Sequence, residues 1–101
     1  MDELLTWLRQ QKGGVGTHAE FRERALALRE RDPQHAAAAR LLADLAGRLA
    51  DAYDEERFPT DMAQHALTAL TTLTEKVVRA KDAGAAEQLA VLNEIGVAEL
   101  V

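Results

Sequence analysis

The chain has 101 residues, of which 20 are alanine and 15 leucine against 7 valine plus isoleucine, a balance that excludes a β-sandwich or barrel and favours helix. Its 17 acidic and 12 basic residues give a formal charge of −5, which disfavours broad contact with nucleic-acid phosphates or anionic lipid. Cysteine is absent and serine occurs nowhere, which removes disulfides, zinc–thiolate sites, and thiol or serine nucleophiles, and makes a reducing cytoplasm the expected location.

The first predicted helix runs over residues 1–12, with Leu4, Leu5, Trp7 and Leu8 on its apolar side, and stops at Gly13-Gly14-Val15-Gly16. Lys12-Gly13-Gly14-Val15-Gly16-Thr17 resembles the phosphate-binding loop of the partition-type P-loop ATPases, K-G-G-x-G-K-T, over six residues. The lysine that such a loop places on the β- and γ-phosphates is missing here, and the segment follows a helix where the motif requires a buried strand. A glycine hinge ahead of a capped helix accounts for every residue. Thr17-His18-Ala19-Glu20 fits a capping box and predicts a second helix over 17–31. Phe21, Ala25 and Leu28 share its apolar face, while Arg22, Arg24, Arg29 and Arg31 are interleaved with Glu20, Glu23, Glu30 and Asp32 in a charged side that compensates itself. Asp32-Pro33 ends that helix and begins the next with almost no loop, a poor turn for a DNA-reading pair of helices.

Residues 33–57 carry the clearest helical stripe, with Ala38, Leu41, Leu42, Leu45, Leu49, Ala52 and Tyr53 recurring every three or four positions. Ala36 to Ala39 open it with small residues that let another helix approach closely. Phe58-Pro59 breaks it, and a fourth helix over 60–83 carries Met62, Ala66, Leu70, Leu73, Val77 and Ala80 inward, with Thr68, Thr71, Thr72 and Thr74 read as a polar face. A fifth helix over 85–96 places Leu89, Leu92 and Ile95 inward, is closed by Gly96, and leaves an apolar tail from Val97 to Val101 that is expected to dock, on a surface the sequence does not name.

These elements predict a single all-α domain, a small helical bundle of four or five helices built on a long antiparallel hairpin of the third and fourth. Because the shorter helices cover such a hairpin only in part, an uncovered apolar strip is expected to join two copies in a homodimer. The functional expectation is a small protein-interaction or regulatory module that binds itself or a further protein partner, with no catalytic residues, cofactor, metal, nucleic-acid or membrane role. Trp7, Arg22, Arg29, Leu45, Leu49, Tyr53, Phe58 and Leu70 are its candidate interaction residues, the aromatic and arginine side chains because these dominate binding hot spots. The alternative is a bundle holding a metal ion or a small apolar ligand between its helices. Asp61 and His65, one turn apart on the fourth helix, are the first residues to test for the metal.

Overall fold

A computed structural model describes residues 1–14, 16–53 and 59–100. Among the described residues there are five α-helices and no strand: α1 (Asp2–Arg9), α2 (Thr17–Arg31), α3 (Ala36–Ala52), α4 (Thr60–Arg79) and α5 (Ala85–Val97). Single 3-10 turns at Pro33–His35 and Ala80–Asp82 lead into α3 and out of α4. No helix among these residues is long and apolar enough to cross a membrane.

Local chemistry sets the element ends. After Arg9 the chain closes with backbone bonds from Gln10 to Trp7 and from Gln11 to Leu8, and the Gln11 side chain also donates to the Trp7 carbonyl, so α1 is shorter than the residues 1–12 expected. Gly16 enters α2 at φ +85°, a left-handed conformation that glycine adopts without a Cβ clash. That shifts the cap by one position: the expected capping box does not form. Thr17 lies inside the helix, buried, with its hydroxyl donating to the Gly14 carbonyl at 2.8 Å, and Glu20 pairs instead with Arg24. Gly96 does not close α5 but lies within it, since Val97 continues the helix.

The closest packing joins α2 to α3, with much less between α3 and α4, so the expected long hairpin is not the centre of the molecule. The reason lies in two buried sides of α3. Leu42, Leu45 and Leu49 form one of them and fill the core, while Ala39, Ala43, Ala46 and Gly47 form the other and let a helix come near. Gly47 meets Arg22 of α2 there, and Arg22 reaches on to Asp51 at 3.2 Å, so α2 runs back along α3 from the Asp32-Pro33 turn. In the same way α5 folds back on α4, with Lys76 and Glu94 2.8 Å apart.

One connected core contains Leu4 and Leu8 of α1, Phe21 and Leu28 of α2, the α3 leucines, Leu70 and Leu73 of α4, Ile95 of α5 and Leu100 beyond it. The expected docking of the apolar tail is met by Leu100, which is buried at the C-terminal end of α3, whereas Val97 is exposed. Thr74 departs from the expected polar face. It is fully buried and donates its hydroxyl to the Leu70 carbonyl at 2.8 Å, the means by which a hydroxyl is tolerated inside a helix pair.

Candidate functional site

The candidate interaction residues fall into separate places. Trp7 is half-buried at the α1–α2 contact, its ring centroid 6.5 Å from that of Phe21, with the Arg24 guanidinium 4.6 Å over its face. Arg22 lies against Gly47 and pairs with Asp51. Arg29 donates its Nε to the Leu26 carbonyl at 3.1 Å and makes no ion pair with a described residue. Leu45, Leu49 and Leu70 are core side chains, 3%, 5% and 0% exposed, which the single chain already covers; their periodicity marked burial, and the burial is internal. Leu45 and Leu49 meet Tyr53 at the end of α3 where Leu100 docks, and Phe58 lies outside the described residues.

The three histidines stand in different surroundings. His18 is buried, and desolvation holds its imidazole below the ordinary 6.5 and favours the neutral form. His65 is exposed on α4, as is Asp61. His35 Nδ1 lies 2.7 Å from Asp32 Oδ2, and the Met1 ammonium donates to the same oxygen at 3.0 Å. Burial by itself would raise the Asp32 carboxyl; the hydrogen bonds and positive charges of the Met1 amine and His35 outweigh it and hold the group below 3.8. Among the described residues no three histidine or acidic side chains cluster as metal ligands would.

Two surfaces stand out that the expected residues do not include. On α5 the side facing away from the body is made of Ala85, Ala86, Leu89, Ala90, Asn93, Gly96 and Val97, with the exposed Glu87 and Glu94 along one border beside Ala90. Leu89 is 57% and Val97 82% exposed, the large hydrophobic side chains most open to solvent among those described. Leu89 was expected inward. The body instead meets α5 along Val91, Leu92 and Ile95, because Gln88 takes the first turn of that inner side, its Nε2 donating to the carbonyls of Ala80, Lys81 and Ala83. Leu89, one position on, is rotated away. The signal was present in the sequence as a run of alanine, leucine, asparagine and glycine at spacings that share one outer face.

The second surface is a cleft of about 320 Å³ between the start of α3, the end of α4 and the inner edge of α5. Its sides are Ala37, Ala38, Val77, Ala80, Val91 and Leu92, and its polar groups come from Gln34, His35, Lys81 and Gln88. None of the seven lining positions on α3 and its leading turn or on α5 is acidic, and the same holds for the three on α4 and the turn after it.

Comparison of the chain with protein-family models, with curated proteins and with solved structures finds no match. The reading of function therefore rests on these two surfaces.

Proposed function

We propose that the protein is a small non-catalytic interaction module of the cytoplasm that pairs with a second copy of itself through the outer face of α5. The observation that carries this reading is the uncharged, partly apolar outer side of that helix, with Leu89 and Val97 exposed. Exposed apolar side chains grouped on one face mark association surfaces more often than isolated ones do. A second copy suits the face better than a charged partner does. Two chains of charge −5 repel in general, but the middle of this side carries no carboxylate; of the two at its border, Glu94 is paired with Lys76, and Glu87 lies at the edge. Alanine and glycine at Ala86, Ala90 and Gly96 let an identical helix come close about a twofold axis, and Asn93 in the seam favours one register.

The size of the surface sets the strength. α5 has 13 residues and is about 20 Å long. A contact along one such helix falls short of the roughly 800 Å² per partner of a standard stable interface, so a weak dimer is expected, to be sought at about 10–500 µM. Sedimentation velocity across that range of concentration should show a monomer passing into a dimer, and Leu89→Glu together with Val97→Glu should hold the chain monomeric without changing its far-ultraviolet circular dichroism. A wild-type chain that stays monomeric at every concentration would overturn the reading.

A further inference from the structure

We propose that the cleft between α3, α4 and α5 binds a small monocarboxylate with a compact branched hydrocarbon tail. Its volume of about 320 Å³ stands at the lower end of the roughly 300–1,000 Å³ of small-ligand sites, which suits a compact molecule. The two kinds of lining are separated in character: Ala38, Val77, Val91 and Leu92 supply apolar wall, whereas Lys81 and His35 supply nitrogen.

The polar groups select the sign of the ligand. Lys81 makes no ion pair with a described residue, although eleven ion pairs engage other cationic groups, His35 of this lining among them. The carbonyls at the end of α4, which would otherwise attract a cation, are occupied: those of Ala80, Lys81 and Ala83 all accept from Gln88 Nε2 at 3.1–3.2 Å. At the other side of the cleft, Asp32 fixes the His35 ring by accepting from Nδ1 at 2.7 Å, which turns the remaining ring nitrogen away from that carboxylate. The lining thus offers a lysine ammonium and an oriented imidazole with no carboxylate among the lining side chains, and the Asp32 carboxylate next to it is already engaged by His35 Nδ1 and the Met1 ammonium. A carboxylate answers the ammonium with a charge-assisted hydrogen bond, and its tail covers the apolar wall.

The surface lies on the inner edge of α5, apart from the outer side assigned to self-association, so the two readings stand or fall separately. The test is a titration of the ¹⁵N-labelled full chain with 4-methylpentanoate, followed by amide shifts, beside 4-methylpentan-1-ol and acetate as controls. Saturable shifts at Val77, Ala80, Val91 and Leu92 are expected for 4-methylpentanoate, with affinity at least about tenfold above either control. Lys81→Met should remove that preference over the alcohol, and Ala37→Phe, an exposed position that fills the mouth, should block both ligands. Leu89→Glu should leave the titration unchanged. Equal affinity for the alcohol and the carboxylate, an unaltered preference in Lys81→Met, or no saturable shift up to about 10 mM ligand would each overturn the proposal.

Discussion

Gly47 shows how one missing side chain decides a helix contact. A Cβ built there would lie 2.8 Å from Arg22 Cδ, so α2 stands as near to α3 as it does because nothing projects from this position. Gly47→Ala should be close to neutral in urea unfolding, because the alanine gains about 1 kcal/mol of helix propensity while the long Arg22 side chain, held by surface pairs with Asp51 and Glu23, can shift aside. Gly47→Leu has no such outlet and should cost about 2–3 kcal/mol as the two helices are forced apart. His18 makes a prediction of a different kind. Its imidazole is held below 6.5 by burial, so the unfolded chain binds more protons than the folded one just under that value. Stability contributed by neutral His18 is complete above pH 6.5 and is lost as the pH falls through the folded-state value. Asp32, held below 3.8, keeps its contribution until the pH drops under 3.8 and through its own folded-state value. Melting temperatures followed from neutral to acid pH should therefore fall in two stages, and His18→Gln should remove the first only. That His18 is buried was not legible in the sequence, since its flanking residues fit a helix start and the inward turn of that start depends on the left-handed Gly16.

At the scale of elements, the five helices were legible because leucine and alanine recur at helical spacing and the breaks carry glycine or proline. Which helices lie closest was not. The Leu42, Leu45 and Leu49 stripe drew attention to α3 and α4 as a pair, whereas the small side of α3 brings α2 nearest, and a sequence marks small residues only faintly because they resemble exposed alanines. For the candidate site the same ambiguity acted in reverse: Leu45, Leu49 and Leu70 carry the strongest periodicity and are internal, while the open positions of α5 lie on its less regular side. These differences predict unequal local stability. α5 contributes one fully buried side chain, Ile95, and its first turn is tied to the turn that follows α4 by the Gln88 carboxamide. Native-state amide exchange should show α5 opening at a lower free energy than α2 and α3, and Gln88→Ala should lower it by a further ~1 kcal/mol by leaving three carbonyls without that donor.

The whole molecule measures 41 × 24 × 21 Å with a radius of gyration of 12.9 Å, about the 13 Å expected for a chain of this length. Its long dimension follows from antiparallel pairs laid along one another, α2 on α3 and α5 on α4, with α1 crossing from α2 to α4. If two copies join along α5, the melting temperature should rise with protein concentration, because the dimer is a ligand-bound form of the native state. Differential scanning calorimetry at concentrations on either side of about 50 µM should show that rise in the wild type and a constant value in the Leu89→Glu, Val97→Glu double variant. The overall charge and the absence of cysteine were readable from composition alone, but the positions of the apolar patch and the cleft depend on how α5 is rotated, which the Gln88 bonds determine.

The placement of Trp7 beside Phe21, with the Arg24 guanidinium over its ring, has a spectroscopic consequence. Trp7 is the only tryptophan, so the indole emission of this protein reports on one event, the seating of α1 on α2, and is silent about the rest. A stopped-flow refolding trace read by fluorescence therefore times the arrival of the N-terminal helix, and its lag or coincidence with the circular dichroism trace tells whether that helix joins the nucleus or is added afterwards.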